Sequence, residues 1–461
     1  MRFNRRWLLR GSLGCAGLAM APSVAARAAK RDWAALGEAV KAEMAWAFDQ
    51  YREHAWGKDE IKPVSGTTSS FPLKHAHLGL SLIESLDTLW LMGLDDRFQA
   101  GVDWVKAELD FDVDGEVSVF ETTIRLLGGL LSAHLACGDR VLLAKAKDLA
   151  DRMLPAFDTP TGLPYRYVNL RSGAVRDPLT NPAEAGTLLS EWGTLSRLTG
   201  DSRYHDATRA PMATLFEKRS KIDLVPVKID AMTGQWVDRR ATVGSYADSY
   251  YEYLWDAWEL FGDAECKAMY DVLTGGIVRH QLVWTKGGAW IADVDYETGE
   301  ILTGEQDELS AFYGGLLAQG GMPATGAALV ESWAKVQDRY GVLPEAYDYQ
   351  TGQPLQKTNA LRPELADAAF NLWLLDRDER WREVCAVHFE NMLAANKAQY
   401  GYTDLADVTA NPKRQADHCP GYWWSEQMKY YWLIFADCPR FDYRSNVLTT
   451  EGNVLRGFIA P

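Results

Sequence analysis

An acidic residue recurs near the start of every second helical pattern in this chain: Glu84, Glu121, Glu191, Glu252, Glu308, Glu364 and Glu426. The intervals are 37, 70, 61, 56, 56 and 62 residues. A helix, a turn, a second helix and a long loop need about the length of the regular intervals. The period therefore predicts stacked helical hairpins, each burying one face against its neighbours. The patterns carry apolar residues every three or four positions, from WAALGEAVKAEMAWAFDQYREHAW at 33–56 to WWSEQMKYYWLIFAD near the end. Several stop at Gly or Gly-Asp, as helix C-termini do. Strand-like pieces (LPYRYVNL, VPVKID, AWIADVDYET) are short and read as hairpins or extended loops between helices. Seven such units closing on themselves form an all-α toroid whose inner helix ends aim acids at one opening. No Pro/Ser-rich linker interrupts the pattern, so 31–461 reads as a single catalytic domain. An open helical solenoid used as a binding scaffold shares the same period.

The first thirty residues differ. MRFNRRWLLRGSLGCAGLAMAPSVAARAAK opens with Arg2, Arg5, Arg6 and Arg10, continues apolar and reaches A-R-A at Ala26–Ala28. That order reads as an export signal over 1–28, and Arg5-Arg6 resembles a twin-arginine leader. A basic amphipathic N-terminus that stays on is the competing reading. No later stretch is apolar over eighteen residues, so no membrane span is expected. A net charge of −15 argues against nucleic acid and anionic membranes as partners. Five cysteines follow the leader: Cys137, Cys266, Cys385, Cys419 and Cys438. The odd number leaves at least one thiol free, with Cys419 and Cys438 a plausible disulfide.

Four stretches gather carboxylates. In VFETTIRLLGGLLSAHL, Glu121 and Arg125 are one helical turn apart, which suits a solvated pair or a carboxyl held at a pocket mouth. Gly128-Gly129 supports the pocket. Two glycines inside a helix cost about 1 kcal/mol each against alanine and imply that another element passes close by. In GSYADSYYEYLWDAW, Asp248 and Glu252 share a face, which suits either a wet surface or a site that raises one pKa or holds a cation or a sugar hydroxyl. Tyr246, Tyr250, Tyr251 and Tyr253 around them favour a sugar-sized pocket. In LRPELADAAFNLW, Glu364 and Asp367 open a helix behind Pro363, with Arg362 able to reach an acid; plain helix-terminus electrostatics is the simpler account. In GYWWSEQMKYYW, Glu426 sits among rings with Lys429 as its cationic neighbour in sequence. Thr450-Glu451, in VLTTEGNVLR, places a hydroxyl and a carbonyl where a hard cation could use both. Paired carboxylates are what glycosidic hydrolysis needs.

The ordered set IESLDTLWLMG, VSVFETTIRLLGGLLSAH, AGTLLSEWGTLSRLTGD, GSYADSYYEYL, LRPELADAAFNLW, WWSEQMKYYWLIFAD and TTEG resembles the class I α-mannosidases of glycoside hydrolase family 47, from about Trp46 to Arg456. The resemblance implies an (α/α)7 barrel. It implies calcium-dependent, inverting removal of terminal α-1,2-linked mannose from mannobiose, high-mannose oligosaccharides or N-glycans. By motif, the general acid matches Glu121, the general base Glu364, the third catalytic carboxylate Asp248 and the calcium-binding threonine Thr450. Arg125, Glu191, Glu252, Glu308, Arg362, Asp367, Glu426 and Glu451 match pocket positions, and Asp87 falls in a family motif. Three departures stand out. Gln306-Asp307-Glu308-Leu309 replaces a D-H-L stretch, Gly421-Tyr422-Trp423-Trp424 a small-Phe-Phe stretch, and TEGN a TEAH-like ending. With its leader, the chain is expected to be a bacterial periplasmic or secreted monomer. A glycan-binding, lectin-like protein of the same fold, and another α/α-barrel enzyme such as an epimerase or glucosidase, are the alternatives.

Overall fold

The computed structural model describes residues 31–459; the leader at 1–28, with Cys15, lies outside them. Fourteen helices carry the fold: α1 (Trp33–His54), α2 (Leu80–Leu91), α3 (Asp95–Glu108), α4 (119–137), α5 (Arg140–Met153), α6 (Leu189–Thr199), α7 (Ser202–Glu217), α8 (Asp248–Phe261), α9 (Ala264–His280), α10 (308–319), α11 (Pro323–Tyr340), α12 (Glu364–Asp376), α13 (Glu379–Ala395) and α14 (423–435). A wider π-turn interrupts α4 at Thr123–Leu127 and opens α14 at Trp423–Gln427. α10 begins as a tighter 3₁₀ turn, Glu308–Phe312.

The hairpins turn with one recurring chemistry. α4, α6 and α8 end at glycines in the left-handed region: Gly138 (φ 74°), Gly200 (φ 75°) and Gly262 (φ 72°). The next residue, Asp139, Asp201 or Asp263, caps the following helix by accepting from its first free N–H groups. Arg377-Asp378 makes the same turn between α12 and α13, with Arg377 at φ 56°. Glycine takes this conformation without a Cβ clash, and the aspartate supplies the acceptor the helix start lacks. A two-residue turn sends the second helix straight back along the first.

Even-numbered helices are inner and odd-numbered ones outer. α2 packs on α3, α4 on α5, α6 on α7, α8 on α9, α10 on α11 and α12 on α13; the last helix, α14, takes the first, α1, as its outer partner. That pairing joins the two ends of the described chain and completes a seven-hairpin ring. Around the inside, α2 packs on α4, α4 on α6, α6 on α8, α10 on α12, α12 on α14, and the π-turn of α14 on α2. α8 meets α10 through side chains, Tyr251 against Tyr313 with centroids 6.0 Å apart. Burial follows position. Every residue of α2 is buried, whereas α5 buries a stripe of Leu142, Ala146, Leu149, Ala150 and Met153. This is the inner helix buried on every side, its few polar groups included, and the amphipathic outer helix that ring packing requires.

The long outer-to-inner connections carry the strands, two to four residues each, in two- and three-stranded antiparallel sheets. They lie at the end of the ring where the inner helices start. One further hairpin, Val447–Leu448 paired with Val454–Arg456, places the loop 449–453 against the inner helices. Here the two glycines of α4 find their cause. A Cβ on Gly128 would sit 2.5 Å from Asn453 Nδ2, and one on Gly129 2.8 Å from Ile83 Cγ2 of α2.

Cys419 and Cys438 are free, buried thiols, so the expected pairing is corrected. Cys438 Sγ points at the Leu91 carbonyl instead, at 3.3 Å. Among the described residues no helix is long and apolar enough to cross a membrane.

Candidate active site

Because the inner helices run the same way, acids in their first two turns converge. Five carboxylates (Asp248 and Glu252 of α8, Glu364 and Asp367 of α12, Glu426 of α14) and Thr450 of the hairpin line one cavity of about 40 Å³. Ser249, Leu309, Phe312 and Tyr430 complete its wall. Such a volume holds roughly one or two waters or an ion.

Burial dominates the electrostatics. It pushes the carboxyls of Asp248 and Asp367 up to about 7 and that of Glu364 up to about 8. Glu252 and Glu426 go well above the usual range, by burial first and then by the neighbouring acids, Asp256 and Asp367 for Glu252 and Glu451, Glu364 and Asp367 for Glu426. Asp248 Oδ1 accepts from the Ser249 N–H at 2.8 Å, and Asp367 Oδ1 from Asn371 Nδ2 at 2.9 Å. Glu364 Oε2 is buried without a hydrogen-bond partner. A group of acids this dry is stable only when some hold protons or a cation joins them.

A second cluster centres on Arg125. Its Nε meets Glu121 Oε2 at 2.8 Å, and its Nη1 meets Glu84 Oε1 at 3.2 Å and Glu451. The Glu121 side chain remains 30% exposed, while Glu84 and Glu451 are buried, so Glu121 is the member of this cluster that solvent or a ligand can reach. Tyr422 lies between two guanidinium groups, Arg125 at 5.5 Å and Arg362 at 5.4 Å from its ring centroid. Its hydroxyl donates to the Ala360 carbonyl at 2.7 Å. Gly421 is required beside it, since a Cβ there would lie 1.5 Å from Glu84 Oε2.

The hairpin loop is pinned from three sides. Asn453 Nδ2 donates to the Ile124 carbonyl in the π-turn of α4 at 2.7 Å. Val454 N–H donates to Asp87 Oδ2 at 3.2 Å, and Lys429 Nζ reaches the same oxygen at 2.7 Å and also the Gly452 carbonyl. Gly452 has φ 70°, and a Cβ there would meet the Ser425 carbonyl at 2.8 Å, which accounts for glycine in the TEGN ending.

Of the residues chosen from sequence, Asp248, Glu252, Glu364, Asp367, Glu426 and Thr450 share the cavity, and Glu121, Arg125 and Glu451 form the adjoining cluster. Glu191 is buried behind, with Oε1 accepting from Tyr253 at 2.7 Å. Arg362 turns to Glu345 Oε2, 3.2 Å away. Glu308 is wholly buried and outside the cavity wall. Two expectations need correcting. Lys429 serves Asp87, 342 residues away in sequence, and not Glu426. Tyr250, Tyr251 and Tyr253 are buried, with hydroxyls given to the Met212 carbonyl, the Thr242 carbonyl and Glu191; Tyr246 alone of the four is exposed. Sequence reasoning missed Glu345, which nothing local marks, and Asp256, one turn beyond Glu252 on the same face of α8. It also missed the strained entries to two acid-bearing helices. Tyr246 (φ 81°) and Leu361 (φ 60°) are left-handed non-glycine residues just ahead of Asp248 and Glu364.

Residues 43–457 match glycosyl hydrolase family 47. The chain is 36% identical to alpha-mannosidase I MNS4 of Arabidopsis thaliana, over 99% of this chain and 76% of the relative. It is 32% identical to mannosyl-oligosaccharide 1,2-alpha-mannosidase IB of Homo sapiens, over 91% of this chain and 69% of the relative. The fold superimposes on the alpha-1,2-mannosidase from Trichoderma reesei with a TM-score of 0.84 at 24% identity, covering 91% of this chain and 98% of that one.

Proposed function

Since the chain belongs to glycosyl hydrolase family 47, we propose that it removes terminal α-1,2-linked mannose from mannose oligosaccharides by a single inverting displacement that requires calcium. That it is a glycoside hydrolase of the α-mannosidase kind follows from the family and from relatives more than 30% identical over almost the whole chain. The observation that carries the finer reading is the convergence of five carboxylates and Thr450 on one small cavity beside the Glu121–Arg125 pair.

The donor set suits calcium. It is all oxygen, with no thiol or imidazole in the wall. Among the described residues no three acidic, His or Cys side chains are placed to grip an ion directly. A hard cation would be held here by Thr450, with the carboxylates of the wall around it, and would supply a positive charge to bind oxygen ligands. When bound, such an ion fixes sugar hydroxyls and offsets the crowding of the acids.

The chain's own residues supply the rest. Glu364, in the cavity wall, takes the proton from the attacking water. Glu121, oriented by Arg125 and reachable from outside, delivers a proton towards the departing oxygen, directly or through a water. Asp248, held by the Ser249 N–H, is the third carboxyl at the reacting sugar. Two carboxyls in these roles, with a water between sugar and base, constitute the inverting pattern.

The test is mannose release from α-1,2-mannobiose. Glu364→Gln and Glu121→Gln are each expected to lower kcat by roughly 10²–10⁴-fold, with mannose binding largely kept. Near-native turnover by Glu364→Gln refutes the base assignment.

A further inference from the structure

Glu308 opens α10 directly after Asp307, whose Oδ1 caps that turn by accepting from the Leu309 N–H at 2.9 Å. The Glu308 backbone N–H is tied to the Glu345 carbonyl at 3.0 Å. Its side chain is 0% exposed, and neither carboxyl oxygen has a hydrogen-bond partner. The charged and titratable groups around it are Glu364 and Arg362 at the head of α12, Glu345 and Asp307 from the adjoining strands, and Tyr431 of α14. Arg362 is the cation of this set, and both its Nε and Nη2 are directed at Glu345 Oε2, 3.2 Å away. Glu364, whose neighbours also include Glu426 and Tyr430 of α14 and Tyr422, shows one orphaned oxygen of its own.

Two buried carboxyls that feel each other's charge in a dry interior cannot both be charged while Arg362, the cation beside them, serves a third acid. The one that no donor reaches on either oxygen holds the proton. Burial and the Glu364 charge push Glu308 in that direction. A protonated carboxyl has one O–H to give, and an unpartnered carboxylate oxygen is the acceptor it calls for.

We propose that Glu308 is held as the neutral acid and is a positioning residue for Glu364, donating its O–H to the orphaned edge of the Glu364 carboxylate, directly or through one water, and so fixing which oxygen faces the cavity. This rests on the reading of Glu364 as the base.

Two measurements on the full-length, calcium-loaded protein test it. The first is infrared spectroscopy at pH 7, which needs no turnover. The native-minus-Glu308→Gln difference spectrum is expected to show the loss of one protonated-carboxyl C=O component, over whatever the other buried acids contribute to both. A difference spectrum without that component overturns the proposal. The second is the pH profile of kcat on α-1,2-mannobiose. Glu308→Gln keeps an N–H donor and is expected to stay within about threefold of native, with its acid limb in place. Glu308→Ala loses the donor; kcat should fall at least about tenfold at little change in KM, with the acid limb moved to higher pH. An acid limb that moves down in Glu308→Gln means an ionised Glu308, and a native-like profile in Glu308→Ala means a filler; either overturns the proposal. Failure of the underlying reading looks different: Glu364→Gln would retain turnover while the Glu308 band persisted.

Discussion

Single residues here are placed by charge more than by shape. Lys429 and Asp87 are 0% and 1% exposed and bonded at 2.7 Å, and the lysine also holds the Gly452 carbonyl. Lys429→Met leaves Asp87 buried with its cation gone, so a loss of about 3–5 kcal/mol is expected in chemical denaturation. The cavity acids act in the opposite sense when no cation is present. Asp248, Asp367 and Glu364 have folded values of about 7, 7 and 8, above the ordinary values near 4 that they regain on unfolding. Between those limits the native state binds more protons than the unfolded one, so stability falls as pH rises. The EDTA-treated protein is therefore expected to lose Tm steadily from pH 5 to pH 8, and calcium should raise Tm more at pH 8 than at pH 5. A Tm that is flat with pH and indifferent to calcium contradicts this. These pairings show where sequence reading stops. Glu121 with Arg125 is one helical turn and could be read; Lys429 with Asp87 and Arg362 with Glu345 are set by how distant segments meet, and could not.

At the scale of elements, glycines play two separable parts. Around Gly138, Gly200 and Gly262 an added Cβ meets nothing within 4 Å, so only the left-handed backbone opposes a side chain. Gly200→Ala should cost about 1–2 kcal/mol and leave the site's chemistry untouched. Gly452 combines φ 70° with a 2.8 Å approach to the Ser425 carbonyl, in the loop that carries Thr450. Gly452→Ala is expected to weaken calcium binding by roughly 10–100-fold in titration calorimetry, because it moves what holds the proposed ligand. Equal calcium affinity in the two variants would separate the hairpin from the ion. The Gly-Asp turns were legible in the sequence because their chemistry is contained in two residues. So was the close approach at Gly128-Gly129, although what approaches was not. The π-turns were not legible; in that of α4 the Ile124 carbonyl accepts from Asn453, a hairpin residue 329 positions on.

For the molecule as a whole, the spacing of acids forecast a ring of hairpins, and seven pairs are present. The forecast worked because each pair is a local unit repeated at a near-constant interval. That α1 would close the ring on α14 was not encoded in any local signal, since it depends on the sum of the turns between them. The ring explains why the acids matter together: parallel inner helices bring the carboxylates of their first two turns to one end, and the hairpin delivers Thr450 to meet them. Together these groups are proposed to hydrolyse an α-1,2-mannoside in a single displacement. The most direct measurement is a ¹H NMR time course of the calcium-loaded protein with α-1,2-mannobiose, read before mutarotation. β-Mannose as the first free product from the non-reducing end is the expected result; α-mannose appearing first, or binding without any release of mannose, would contradict the account.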